Sequence, residues 1–175
     1  MEATMPDIHL DKTPQLHEAK LDVLGFDGRI GRMRLLAWNL VFSTIYMVAV
    51  VIMMLIAQSS PTLGITVSVA LGIAYLILCI RISAQRLHDL NWSAWMLLLQ
   101  LVPIANLVLG LLMLLKPGTP GSNKYGPPPP ANSTAVNILG WICIILMILG
   151  TLITIAAFAM GMMGSLINAT DGYSL

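Results

Sequence analysis

The residues best suited to chemistry lie in one short stretch, RISAQRLHDLNWSAW, which runs from Arg81 to Trp95. It places His88 next to Asp89 between segments that are almost wholly apolar. A histidine held by a carboxylate can act as a general base, which makes a membrane-embedded enzyme one hypothesis. Adjacent residues on a helix point apart, however, so His88 and Asp89 need not touch. No serine or cysteine nucleophile stands at a recognisable spacing, and catalysis is therefore the third of three hypotheses.

A second segment, FDGRIGRMRLLAW, is built in the same way over residues 26–38, with three arginines between aromatic residues. A planar guanidinium matches the oxygens of phosphate or carboxylate better than an ammonium group does. Three interpretations follow: ordinary topological anchors, a polar cluster in which Asp89 pairs with an arginine of residues 26–38, or a site for a lipid headgroup or another anion. The candidate residues are Arg29, Arg32, Arg34, Arg81, Arg86, His88 and Asp89.

The composition indicates a membrane protein. Of the 175 residues, 57% are hydrophobic and 10% are charged, and the mean hydropathy is +0.84. Soluble domains carry about 25% charged residues, so the excess apolar surface of this chain must face lipid. The net charge of +1 provides no basic field that would attract nucleic acid.

Four apolar segments, at about residues 35–57, 63–80, 94–115 and 136–167, define the predicted architecture. A helix crosses a hydrocarbon core of about 30 Å with about 20 residues, so we expect an all-α polytopic integral membrane protein. The turn QSSPT is short enough to make the first two spans an antiparallel hairpin. None of the segments contains Asp, Glu, Lys, Arg or His, which argues against a transporter or a channel.

The third apolar segment contains Pro103 and Asn106 near its middle. Proline removes a backbone donor and clashes with the preceding turn, so the segment is either one kinked span or a re-entrant hairpin that turns at PIAN. A kinked span would put the Pro/Gly-rich loop of residues 116–135 on the far side of the membrane from Arg81. A re-entrant segment would keep that loop on the arginine side and send the C-terminal tail, residues 168–175, to the other side.

Orientation follows from arginines before the first span and after the second, because such residues mark the cytoplasmic side. We therefore expect residues 1–24 to form a polar cytoplasmic tail, with a helix from Pro14 to Leu24. The first apolar run is too long for the core of a cleaved signal peptide. The tail is thus expected to remain attached to an uncleaved first span.

Neither the tail nor the spans present a ligand set for a metal. His9 with Asp11, and His17 with Glu18, lack the closed set of ligands that a stable site requires. Cys79 and Cys143 lie within apolar runs, which favours small buried side chains over a disulfide framework. No metal and no cofactor is predicted.

Three motifs, FDGRIGRMRLLAW, RLHDLNWSAW and KPGTPGSNKYGPPP, occur in this order around three apolar segments. Over residues 24–130 the chain resembles the bacterial inner-membrane family called domain of unknown function 805. The resemblance implies a small multi-pass protein of the bacterial cytoplasmic (inner) membrane, with no assigned activity, in which residues 25–130 form a three-segment domain. By position, the family's recurring polar residues fall on Gly28, Arg29, Arg32, Arg86, His88, Asp89, Pro117, Gly118, Gly121, Asn123, Tyr125 and Gly126.

Several positions depart from the family pattern. Gln85 stands where a second arginine is expected, Ala94 where a glycine is usual and Met96 where a tryptophan is usual. The span at residues 136–167 lies beyond the usual end of the family. We expect this additional span to serve a role specific to this chain.

Small residues recur every fourth position on two of the spans, and such faces let helix backbones approach closely. They are Gly64, Ser68 and Gly72 on the second span and Ala157, Gly161 and Ser165 on the last. Packing within one chain is the first interpretation, and association with another membrane protein or a second copy is the alternative.

The favoured function is a non-enzymatic accessory or scaffold subunit of a larger membrane assembly. The alternative is a lipid-handling module that holds anionic headgroups. The arginines proposed for that headgroup site are Arg29, Arg32, Arg34 and Arg86.

Overall fold

The computed structural model describes residues 25–171, with side chains described as far as residue 165. Its helices are α1 (Arg32–Ala57), α2 (Pro61–Asp89), a 3-10 helix (Ala94–Leu101), α3 (Pro103–Leu115) and α4 (Thr134–Asp171). Three of them, α1, α2 and α4, are long and apolar enough to cross a membrane. The predicted all-α polytopic architecture is confirmed.

α1 and α2 form the expected antiparallel hairpin. Pro61 opens α2, where its missing N–H group would have had no helical partner. A Cβ atom on Gly64 would lie 2.5 Å from the Cβ of Ala57, so glycine is needed for the two helices to meet beside the turn. Further along, Tyr46 of α1 stacks on Tyr75 of α2 with 4.5 Å between ring centroids.

α2 continues well past the predicted end of the second span at residue 80. The helix runs on to Asp89, and Asn91 then adopts a left-handed conformation with φ of 62°. Asparagine tolerates this conformation better than most residues. Arg81 therefore ends the apolar run but not the helix, and the last turns of α2 carry the charged residues beyond the apolar segment.

The third apolar segment is re-entrant. The 3-10 helix ends at Val102, which is extended, and α3 restarts at Pro103, as expected where a proline cannot continue a helix. Arg86, at the C-terminal end of α2, donates to the carbonyls of Met113 and Lys116 at the end of α3. The segment therefore leaves from and returns to the same end of the bundle, and the single kinked span is wrong.

α4 runs parallel to α1. The Arg34 guanidinium donates to the carbonyls of Pro130 and Ala131, just before α4, at 3.3 and 3.1 Å. One turn and more into α4, Gly140 lies against Met33 of α1. α4 thus starts at the end of the bundle that carries Arg29, Arg34 and Arg86, called the arginine-bearing end below. It ends at the opposite end, which is the topology expected for a re-entrant third segment.

The buried apolar core lies at the arginine-bearing end. Its members come from the segment before α1, from α1, from the end of α2 and from α3, and they are Ile30, Leu35, Ile82, Leu87, Leu90, Leu109 and Met113. Most of the remaining apolar side chains on the three long helices are exposed, as expected for surfaces that face lipid. The tail helix predicted for residues 14–24 and the histidines at positions 9 and 17 lie outside the described residues.

The re-entrant topology makes a labelling prediction. In a chain whose natural cysteines are replaced, Ser122→Cys should react with a membrane-impermeant maleimide from the same side as Asp27→Cys. Ser59→Cys, in the turn between α1 and α2, should react from the other side. All three positions are exposed in the structure. Labelling of Ser122→Cys together with Ser59→Cys would instead require a third segment that crosses the membrane.

Candidate functional site

The polar residues of the arginine-bearing end are organised around the carboxylate of Asp89. Its Oδ1 accepts hydrogen bonds from Nε and Nη2 of Arg29 at 3.2 and 3.1 Å. Its Oδ2 accepts one from Nη1 of Arg86 at 2.6 Å. The Arg29 and Arg86 side chains are 0% exposed and that of Asp89 is 3% exposed. One carboxylate therefore bridges two buried guanidinium groups that come from different parts of the chain.

Arg29 uses all of its nitrogens in this position. Besides the bonds to Asp89, Nη1 donates to the carbonyls of Gly121 and Gly126 at 2.7 and 3.2 Å, and Nη2 donates to the carbonyl of Thr119 at 2.6 Å. A buried N–H group without an acceptor is costly. Here the loop between α3 and α4 supplies those acceptors, so Arg29 and the loop hold each other in place.

Arg86 and Arg32 cap the end of α3. Arg86 Nε donates to the Met113 carbonyl at 2.8 Å and Nη2 donates to the Lys116 carbonyl at 2.5 Å. Arg32 Nη1 donates to the Leu115 carbonyl at 3.1 Å. The last carbonyls of a helix have no partner within the helix and carry partial negative charge. Guanidinium groups from α1 and α2 therefore cap the C-terminal end of α3, the second helix of the re-entrant segment.

The loop of residues 117–126 covers the end of α2. Thr119 donates to the Asp89 carbonyl from its backbone N and its Oγ1, at 2.8 and 3.0 Å. Asn123 Nδ2 donates to the His88 carbonyl at 2.9 Å, and Asn123 Oδ1 accepts from the Tyr125 backbone N at 2.8 Å. These bonds satisfy carbonyls at the end of α2, so the loop completes that helix terminus.

Glycines of the loop are required by its geometry. A Cβ atom on Gly118 would overlap the carboxylate of Asp89. Gly121 and Gly126 have φ of 67° and 116°, a region that favours glycine. Pro117, which is exposed, follows the extended Lys116 at the end of α3. The predicted structured loop thus lies directly on the arginine pair.

His88 and Asp89 are not assembled as a catalytic pair. The His88 ring stacks on Tyr125, with 3.8 Å between ring centroids and 13° between the planes. The Asp89 carboxylate is already occupied by the two arginines. His88 Nδ1 has no hydrogen-bond partner among residues 25–171. Asp89 therefore does not orient His88 as a general base.

The remaining predicted cluster residues lie apart from the Asp89 carboxylate. Arg34 is buried against the chain that leads into α4. The Arg81 guanidinium lies over the Phe26 ring, 4.8 Å from its centroid. Arg32 is exposed. Residue type and spacing alone thus group arginines that the fold places in different surroundings.

Sequence reasoning missed Thr119 and did not assign a role to Gln85. Thr119 bonds both Arg29 and Asp89, although no pattern in KPGTPG marks it as different from its neighbours. Gln85 Nε2 donates to the Gly25 carbonyl at 2.9 Å, and the backbone carbonyl of Gln85 accepts from Ile30 N at 3.3 Å. The glutamine that replaces an expected arginine thus ties the segment before α1 to α2. Among the described residues, no group of three His, Cys, Asp or Glu is placed to hold a metal ion.

The close approach of Gly118 to Asp89 predicts a specific sensitivity. Gly118→Ala should lower the thermal midpoint of the detergent-solubilised protein, because the added methyl must displace the carboxylate that binds both arginines. Gly110→Ala is the matched control, since a Cβ there meets nothing within 4 Å among the described residues. Equal midpoints for the two variants would contradict the contact.

The shared carboxylate predicts a second effect. Asp89→Asn keeps the side-chain shape but leaves two buried guanidinium groups without a counter-charge, and breaking a buried ion pair costs about 3–5 kcal/mol. The loss should appear in the free energy of unfolding measured by denaturant titration in mixed micelles. Asp27→Asn, at an exposed acid on the same end, should change that free energy by less than about 1 kcal/mol. A small effect at Asp89 would show that the ion pairs are not formed.

Comparison with known proteins identifies a family and two individual relatives. Residues 23–127 match the model of a family described as "Protein of unknown function (DUF805)". Inner membrane protein YhaH of Escherichia coli (strain K12) is 42% identical over 45 residues, which is 26% of this chain and 37% of that protein. The protein of the same name from Escherichia coli O157:H7 gives the same values. The match therefore covers little more than a third of these relatives.

No solved structure matches the chain. The family match spans Arg29, Asp89, Arg86 and the loop that covers them, and it confirms the resemblance found in the three motifs. It includes more than half of the 175 residues. The chain therefore belongs to the DUF805 family, and with its apolar helices it is a multi-pass protein of a bacterial inner membrane.

Proposed function

We propose that this chain is a non-enzymatic accessory subunit that joins a larger membrane assembly through α4. One observation carries the proposal: every residue of α4 from 145 to 165 is exposed. α4 packs mainly against α1. Its buried residues as far as position 165 are Gly140, which lies against Met33, and Cys143. Residues 145–165 are therefore available as a helix surface for another protein.

The contrast between the two small-residue faces supports this proposal. On α2, a Cβ on Gly64 would overlap Ala57 and one on Gly72 would lie 3.6 Å from the Tyr46 hydroxyl, so this face is used against α1. On α4, Ala157, Gly161 and Ser165 are all exposed, so this face is not packed against the other described helices of the chain. Small faces are a main means by which helices associate in lipid. The face on α4 accordingly suits an external helix.

The arginine cluster also favours a scaffold over the two other hypotheses. The Asp89 carboxylate is bound by Arg29 and Arg86 and covered by Gly118, which leaves it no role as an acid or base. Arg29, Arg34 and Arg86 are buried and bonded to protein acceptors, so a headgroup phosphate would have to displace those bonds to reach them. Of the arginines proposed for a headgroup site, Arg32 alone is exposed.

The test compares the same substitution on opposite faces of α4. Ala157→Leu fills the small-residue face, whereas Ala159→Leu, two residues on, lies on the other side of the helix; both positions are exposed. In native gels of mild-detergent extracts, wild type and Ala159→Leu should migrate as one discrete larger species, and Ala157→Leu should migrate faster.

Co-expression of two differently tagged copies identifies what lies on that face. Capture of one tag with the other would mean that a second copy of this chain occupies it. A wild-type protein that migrates at the size of a single chain in a lipid belt, unchanged by Ala157→Leu, would refute the proposed function.

A further inference from the structure

A groove runs along α4 beside Arg32. It is formed by α1, the end of α3 and α4, has a volume of about 450 Å³, and is lined by Arg32, Leu36, Leu115, Trp141, Ile144 and Ile148 among others. Arg32 is the first residue of α1, so it lies at the arginine-bearing end of the groove. Because α4 runs parallel to α1, the wall from Trp141 to Ile148 extends from there toward the membrane interior over about 10 Å, at 1.5 Å per residue.

We propose that this groove binds an anionic phospholipid, with an acyl chain along α4 and the headgroup phosphate on Arg32. The inference concerns α4 as far as Ile148 and is independent of the role proposed for the small-residue face from Ala157 to Ser165. Its ligand is a lipid of stated charge rather than a protein. The argument depends on the exposure of Arg32, the shape of the groove and the charges around its mouth.

Arg32 differs from the other arginines of the cluster in its accessibility. It is exposed, and among residues 25–171 its hydrogen bond is the one from Nη1 to the Leu115 carbonyl at 3.1 Å. That bond fixes the guanidinium beside the groove and leaves its Nε and Nη2 side for another acceptor. A guanidinium held in this way offers the bidentate geometry that phosphate oxygens accept.

The charges near the mouth favour an anion. Arg34 lies two residues after Arg32 in the sequence, and Lys116 follows the end of α3. Arg29 and Arg86 share the single carboxylate of Asp89, so these three buried side chains together carry one excess positive charge. The Lys116 ammonium lies over the Trp92 ring, 4.4 Å from its centroid. Asp27, which is exposed, is the nearby acid in the sequence. Anionic headgroups are attracted to such basic juxtamembrane surfaces.

The lining of the groove suits an acyl chain. The lining below Arg32 is apolar, as an acyl chain requires. Trp141 is 60% exposed beside the groove, and tryptophan prefers the depth at which headgroups meet acyl chains.

The experiment is native mass spectrometry of the full chain, purified in a neutral detergent and titrated with phosphatidylglycerol or phosphatidylcholine of identical acyl chains. The wild type should retain phosphatidylglycerol in preference. Arg32→Gln should lower phosphatidylglycerol retention about tenfold, as expected for loss of a charge-assisted hydrogen bond. It should lower phosphatidylcholine retention less, because the choline cation offsets the charge of that lipid's phosphate. Arg32→Lys should restore part of the preference, because it keeps the charge without the planar fork.

Two further variants separate the groove from the general charge of this end. Ile148→Trp, at a residue that is 56% exposed, should fill the lower groove and reduce retention of both lipids. Lys124→Gln removes one exposed positive charge from the loop and should retain phosphatidylglycerol as the wild type does. The proposal is overturned if Arg32→Gln keeps wild-type retention, if Lys124→Gln loses as much, or if Ile148→Trp loses neither lipid.

Discussion

The structure depends on one carboxylate that is shared by two buried arginines. Asp89 neutralises one of the two positive charges of Arg29 and Arg86, and the rest of their polar surface is satisfied by backbone carbonyls. Burying charges is unfavourable unless all partners are present. Because those carbonyls belong to the loop and to the end of α3, the charges can be buried only if both segments are in place. The ionic cluster and the fold of residues 86–126 therefore form together.

This coupling explains how a re-entrant segment is tolerated. Irregular backbone at membrane depth is stable only where other protein satisfies its polar groups. The 3-10 helix packs against α2, and α3 packs against the 3-10 helix and touches α1. The free carbonyls where α3 ends are bonded by Arg86 and Arg32. The arginines that a topological rule reads as anchors to the headgroups thus serve mainly as caps inside the protein.

The sequence predicted what depends on local composition. Long runs without charge predicted the apolar helices, and arginines on both sides of the first hairpin predicted that residues 26–38 and 81–93 would lie at one end. The sequence did not decide between a kinked and a re-entrant third segment. That choice depends on hydrogen bonds from Arg86 to the carbonyls of Met113 and Lys116, which are 27 and 30 residues further along the chain. Nor could spacing distinguish Arg29 from Arg32. They are close in the sequence, yet Arg29 is buried in the structure and Arg32 is exposed. Burial of a charge is set by non-local partners such as Thr119 and Gly121.

The family match ends at residue 127, just before the segment that leads into α4. Every group that holds the ionic cluster together therefore lies inside the matched region, and α4 is an addition to a unit that is already closed. α4 is attached to that unit through α1. Arg34 donates hydrogen bonds to the carbonyls just before α4, and Gly140 packs against Met33. Gly140 and Cys143, the buried residues of α4 as far as position 165, lie in its first turns. Residues 145–165 contribute no buried side chain to the core, so they add surface within the bilayer to the family unit. α4 also forms the groove that it shares with α1 and the end of α3.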